Sequence, residues 1–112
     1  MADPIDLATL RRDYRSRPLN RGDLASDPVV QFQQWFTEAL EANVLDPNAM
    51  SVATVGADGQ PSLRTVLLKY FDATGFVFYT NLHSRKAQEI GANPKVALLL
   101  YWAEIGRQVR IT

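Results

Sequence analysis

The 112-residue sequence contains no cysteine and only one histidine, His83. The first absence excludes disulfides, thiolate zinc sites, iron–sulfur clusters and a cysteine nucleophile. The second leaves too few imidazoles for a histidine metal site, and no metal is expected. No run approaches the roughly 18 apolar residues of a membrane-spanning helix. The longest, Val96–Trp102, is the size of one strand. The N-terminal residues carry acids and no apolar stretch, so no secretory leader is visible. Net charge is absent too, twelve Lys and Arg balancing twelve Asp and Glu. These absences set the expectation of a cytoplasmic protein with no membrane and no nucleic-acid partner, since a nucleic-acid footprint needs a larger basic excess.

What is present is a chain 46% hydrophobic and 21% charged, enough for one folded domain. A core of this size is modest, which favours burial against a partner surface. The charges are unevenly placed. Residues 1–27 hold five Arg and five Asp, residues 28–62 hold four acids and no base, and residues 63–112 hold seven bases against three acids. That last surplus falls in a strand-rich stretch and suits a small anion.

Residues 1–27 read as a polar arm, with a short helix expected over Ile5–Tyr14. Asp27 followed by Pro28 is a helix start: a capping carboxylate, then proline at the first helical position. Phe32, Phe36, Ala39, Leu40 and Asn43 follow at helical spacing, widened by Val29, Trp35 and Val44. This predicts an amphipathic helix of about four turns, stopped by Asp46-Pro47. Strands are then expected over Met50–Val55, Ser62–Phe71, Phe76–Thr80, Lys95–Trp102 and from Gln108 onward, the first three as part of an antiparallel meander. A helix capped by Ser84 runs toward Asn93-Pro94. The last strand has no visible end, and strands this apolar want closure, so the chain is expected to be the N-terminal part of a larger barrel.

Two segments carry candidate chemistry. Arg64 and Lys69 bound an apolar strand on opposite faces, so a bulge or strand-end twist must help if both reach one ligand. They read either as ligand contacts or as snorkelling strand-end cations. Arg85 and Lys86 stand in the first turn of the Ser84-capped helix, where acids are usually preferred. An anion such as a phosphate at that helix start accounts for them, and a solvated basic turn is the alternative. His83 reads as a surface loop residue, Trp35 and Phe36 as core. Trp102 either lines a cavity or is buried. Gln108 suits either a heterocycle edge or a sheet edge.

Arg64-Thr-Val-Leu-Leu-Lys69, Phe76-Val-Phe-Tyr-Thr-Asn-Leu82, Ser84-Arg-Lys-Ala87 and Arg107-Gln-Val109 stand in the order and spacing of one enzyme family. Arg11-Arg-Asp-Tyr14, Asp27-Pro28 and Asp46-Pro-Asn-Ala-Met50 fit the same pattern. The chain resembles the pyridoxamine 5′-phosphate oxidase family from about Leu10 to its end. The resemblance implies a mainly β fold with flanking helices, an FMN-binding split β-barrel, here incomplete at the C-terminus. It implies a homodimer that oxidises pyridoxamine or pyridoxine 5′-phosphate to pyridoxal 5′-phosphate in vitamin B6 metabolism, with oxygen reduced to hydrogen peroxide. The alternative is a flavin-binding split barrel or fragment without turnover. Residues 1–27 would be an arm and 28–112 the N-terminal part of the barrel.

Carried over by position, Arg64, Thr65, Val66, Leu67, Leu68 and Lys69 would lie along the FMN, with Tyr79 and Thr80 beside it. Arg85 and Lys86 would hold its phosphate and Gln108 its ring. Arg11, Arg12, Asp13, Tyr14 and Lys69 would contact substrate. No residue is assigned as a catalytic acid, base or nucleophile. Gly106 stands where the family often has glutamate, and Leu100-Tyr101 replaces a common Phe-Pro. Family members are roughly twice as long, and their C-terminal half is expected to supply further substrate and flavin contacts.

Overall fold

The computed structural model describes residues 3–11 and 18–112. The order of elements is α1 (Pro28–Glu41), β1 (Ala49–Val55), β2 (Pro61–Asp72), β3 (Gly75–Phe78), α2 (Arg85–Ala92), β4 (Ala97–Trp102) and β5 (Arg107–Ile111). Both expected caps are in place. Asp27 accepts from the Val29 amide at 2.8 Å with Pro28 in the first turn, and Ser84 accepts from the Ala87 amide at 3.1 Å.

The helix expected over Ile5–Tyr14 is not formed where it is described. Asp3–Arg11 holds a single turn closed by the Leu10 amide on the Leu7 carbonyl. The Asp6 carboxylate takes the Ala8 amide, a local bond that competes with helix formation. Ile5, Leu7 and Leu10 are exposed, so no burial offsets the cost of nucleating so short a helix. Arg12, Asp13 and Tyr14 lie outside the described residues.

Helix α1 stops before Asp46-Pro47. Asn43 takes the left-handed conformation (φ 55°), its amide bonds the Leu40 carbonyl, and the Val44 amide bonds the Ala39 carbonyl. This is a Schellman cap with asparagine in the usual glycine position, and Val44 and Ala39 are both buried in the core. Asn43 is therefore the helix terminator, outside the apolar stripe.

The five strands form one antiparallel sheet in the order β3-β2-β1-β4-β5. Strands β1 to β3 are the expected meander, but β4 returns to pair with β1. That is a Greek key, extended by the β4–β5 hairpin. The most apolar strand thus gains a neighbour on each side, with Leu98, Leu100 and Trp102 buried. The tight β4–β5 connection needs Gly106 at φ 63°, where a side chain is disfavoured.

One face of the sheet is the core. Met50, Val52, Leu68, Leu98, Leu100 and Trp102 pack there beneath α1. Phe32 is the hub: it meets Phe71 at 4.8 Å and Phe76 at 5.0 Å between ring centroids, both edge-to-face. Trp102 is buried in this core, its indole N–H donating to the Pro47 carbonyl at 2.8 Å. Trp35 and Phe36 are half-buried and packed against it. The opposite face leaves Leu63, Leu67 and Tyr101 exposed. For the monomer, Trp102→Ala is expected to lower unfolding free energy by roughly 3–5 kcal/mol, and Leu63→Ala by less than about 0.5 kcal/mol. Urea denaturation followed by far-ultraviolet circular dichroism checks this; equal losses would place the core on the wrong face.

Candidate functional site

The alternation of β2 divides its candidate residues. Arg64, Val66 and Leu68 turn to the core face, while Thr65, Leu67 and Lys69 are exposed on the other. The register between β2 and β3 shifts between Leu68 and Tyr70, so Lys69 sits at an irregularity of the kind the strand pattern required. Lys69 lines a hollow of about 450 Å³ with Phe36, Leu40 and Asn48. The hollow's rim is braced by Asn48, whose side-chain amide donates to the Leu68 carbonyl at 3.0 Å.

A polar network gathers at the start of α2. Helix α2 packs on β1, and Glu89, one turn from Arg85, is buried at 7% exposure. Its carboxylate accepts from Thr54 Oγ1 at 2.9 Å, Ser62 Oγ at 3.0 Å and Arg85 Nε at 2.9 Å. Thr54 and Ser62 face each other across the β1–β2 pair. Arg64, two residues along from Ser62, donates from Nη1 to Thr54 Oγ1 at 2.7 Å. Arg64 and Arg85 are therefore joined through Thr54 and Glu89.

The loop before α2 is equally tied. Asn81 accepts the His83 amide on its side chain and the Ser84 amide on its carbonyl, and Thr80 Oγ1 lies 3.2 Å from Ser84 Oγ. His83 is exposed, as a loop histidine should be. Lys86 Nζ lies 5.8 Å from the centre of the Phe78 ring. Strand β3 ends at Phe78, so Tyr79 and Thr80 belong to this loop, Tyr79 exposed and Thr80 half-buried.

The structure thus joins Arg64 to Arg85 through Thr54 and Glu89, and sets Thr80 against Ser84 at the start of the helix that carries Arg85 and Lys86. It does not bring Gln108 to them within one chain. Gln108 is exposed on β5 opposite Tyr101, with β1 and β4 between it and β2, and it lines a groove of about 800 Å³ with Trp35 and Arg107. Arg107 stacks over the Trp35 ring at 4.8 Å and pairs with Glu38. Arg11 is exposed in the arm, with no contact to these groups among the described residues.

Glu89, Thr54 and Ser62 were not singled out by sequence reasoning. The only sequence signal was the four-residue spacing of Arg85 and Glu89, which reads as an ordinary surface pair. In the fold the Thr54 hydroxyl holds the Glu89 carboxyl below the usual carboxylate range, against the opposing effect of burial and with help from Ser62 and Arg85. A carboxyl whose folded-state pKa is depressed stabilises fully above its unfolded-state pKa, and loses that contribution as pH falls through the folded-state value. Asp72 is lowered as well, chiefly by the Thr74 hydroxyl, and adds to the same slope in any Glu89 variant. Between about pH 6 and about pH 3, the urea midpoint of Glu89→Gln should therefore fall less than that of the unaltered chain. Equal falls would show that the ionised network contributes nothing.

A family profile described as pyridoxamine 5′-phosphate oxidase matches residues 36–112. The chain is 56% identical over 107 residues to the pyridoxine/pyridoxamine 5′-phosphate oxidase of Crocosphaera subtropica, covering 96% of this chain and 50% of that protein. Its identity to the enzyme of the same name from Rubrobacter xylanophilus is 58% over 106 residues, 95% of this chain and 49% of that one. The chain spans about half the length of the curated relatives it matches. Among solved structures it resembles PhzG from Burkholderia lata, determined with tetrahydrophenazine-1-carboxylic acid, with TM-score 0.80, 33% identity and coverage of 86% and 48%. It also resembles a pyridoxamine 5′-phosphate oxidase-related, FMN-binding protein from Nostoc punctiforme, with TM-score 0.64, 25% identity and coverage of 80% and 46%. These likenesses bear out the mainly β, split-barrel fold. With its profile running from Phe36 to the last residue and relatives more than half identical along nearly all of it, the chain belongs to the pyridoxamine 5′-phosphate oxidase family.

Proposed function

We propose that the chain holds FMN by its phosphate at the start of α2, within an oxidase acting on pyridoxamine or pyridoxine 5′-phosphate. The observation that carries this reading is the chain of bonds from Arg64 through Thr54 and Glu89 to Arg85, which stands with Lys86 in the first turn of the Ser84-capped helix. The donor set fits a phosphate monoester. Arg85 is 71% exposed, and among the described residues only its Nε is engaged, by Glu89. Both Nη groups are left for a bidentate contact. The Ser84 cap takes the Ala87 amide, and the first-turn amides of Arg85 and Lys86 add the positive end of the helix.

FMN, when bound, supplies the two-electron acceptor for oxidation of the substrate's amine- or hydroxyl-bearing carbon, with oxygen restoring it and giving hydrogen peroxide. The chain's own residues grip and orient. Arg64, Arg85 and Lys86 hold the cofactor phosphate, Thr80 and Tyr79 flank it, and the residues Arg64–Lys69 provide a strand for it to lie along. Lys69, exposed beside an apolar hollow, is suited to a second phosphate, that of the substrate. The arm residues Arg11, Arg12, Asp13 and Tyr14 are proposed to meet substrate. Orientation of this kind lowers a barrier by as much as about 7–11 kcal/mol in the best intramolecular cases.

We further propose that the working form is a homodimer. Gln108 and the α2 cluster are separated by two strands, about 14 Å at the usual strand spacing, and Gln108 faces the side of the sheet opposite Arg64. A second copy brings a Gln108 to a flavin held at α2. The exposed Leu63, Leu67 and Tyr101 give that face apolar area to bury.

A purified chain that is yellow and releases peroxide on addition of pyridoxine 5′-phosphate fits the full reading, whereas flavin without peroxide fits a binding half that needs the rest of its relatives' length. A colourless chain indifferent to added FMN contradicts both. Arg85→Ala and Lys86→Ala should each weaken FMN binding roughly ten- to a hundredfold, the equivalent of about 1.5–3 kcal/mol for one charged hydrogen bond. Lys69→Ala should keep its flavin and lose turnover of phosphorylated substrate. Flavin fluorescence titration and peroxide assay check both; unchanged affinity in the first pair removes the phosphate site.

A further inference from the structure

Burying a glutamate against a sheet is costly, and an apolar side chain at position 89 would dock α2 on β1 without that cost. What a carboxylate adds here is direction. It engages Arg85 through Nε, leaving the rest of the guanidinium without a partner among the described residues. It also accepts the single proton of the Thr54 hydroxyl. That hydroxyl, its proton committed, can only accept from Arg64, and does so at 2.7 Å. One buried carboxylate thus sets the orientation of two arginines on two different elements, one directly and one through a hydroxyl relay. It also supplies counter-charge to Arg85 directly and to Arg64 through Thr54 before an anion arrives. The cations Arg64, Arg85 and Lys86, this carboxylate and a phosphate of about −1.5 to −2 charge together come close to electroneutrality.

We propose that Glu89 is a positioning residue for the cofactor phosphate, holding Arg85 directly and Arg64 through Thr54 in the geometry that recognises a phosphate monoester. The proposal rests on the reading that FMN binds at the start of α2. It makes Glu89 responsible for discrimination between FMN and riboflavin, which share a ring system and differ in the phosphate. A merely structural role would weaken both ligands alike or neither.

The test is a pair of fluorescence titrations of the chain, one with FMN and one with riboflavin, with circular dichroism confirming that each variant is folded. Glu89→Gln is nearly isosteric. It retains an acceptor for Thr54 or Ser62 but not the charge that holds Arg85. The ratio of riboflavin to FMN dissociation constants should fall about tenfold in Glu89→Gln and further in Glu89→Ala, with riboflavin affinity changed less than about twofold. In an Arg85→Ala background the same Glu89→Gln change should lower the ratio less than about threefold, because the two residues act as one unit. Should Glu89→Ala not fold, Glu89→Gln alone decides. A folded Glu89→Gln that keeps the unaltered ratio, or effects that simply add with Arg85→Ala, overturns the positioning role while leaving the flavin site standing. If the unaltered chain itself shows no preference for FMN over riboflavin, the flavin-phosphate reading fails and the positioning role falls with it.

Discussion

The carboxylate of Glu89, enclosed between α2 and the β1–β2 hairpin, is the point from which the rest of the site is laid out. Thr54 and Ser62 reach it from the sheet and Arg85 reaches it from its own helix. Each of those bonds is ordinary. Their convergence on one buried group fixes an eight-residue helix that has little apolar surface of its own. Without that carboxylate, the Arg85 guanidinium would lose the link that sets it relative to Arg64 on β2. The depressed carboxyl pKa is the thermodynamic signature of the arrangement: the fold favours the charged form, so near neutral pH the anchor is a charge.

A second constraint works from the other end of the core. The α1–β1 connection is tied to β2 through Asn48 and to β4 through the Trp102 indole on Pro47. Asn43 ends α1 sharply, and Asp46, also left-handed, turns the chain into β1 with the Ala49 amide on its carbonyl. Phe32 then meets Phe71 and Phe76, beyond the β2 irregularity at Lys69. The position of Lys69 at a break in strand pairing is thus a product of core packing on one side and hairpin geometry on the other.

Much of this was legible before any coordinates. Asp27-Pro28 and Ser84 announce their helices because capping is a local interaction, settled by residues within one turn. The strands follow from apolar alternation bounded by turn residues. The helix expected from Ile5 is not formed over the described residues up to Arg11, because periodicity states only that a face exists, and among the described residues nothing covers Ile5, Leu7 and Leu10. The return of β4 to β1 was hidden because strand order is a choice among non-local pairings with similar local signals. Glu89 was hidden for a related reason. At helical spacing from Arg85 it looks like half of a solvent-exposed pair, and only the packing of α2 on the hairpin reveals it as buried. The cations themselves were visible, since two bases in the first turn of a helix run against the helix dipole and call for an anion.

The account stands or falls on where a phosphate meets this chain. The most direct measurement is an amide and guanidinium correlation spectrum of the isotopically labelled chain, recorded as FMN is added. The largest displacements should fall on the backbone amides of Arg85, Lys86 and Ala87 and on the side-chain Nε–H groups of Arg64 and Arg85. Displacements confined to other parts of the sheet, or a spectrum unmoved by FMN, would contradict it.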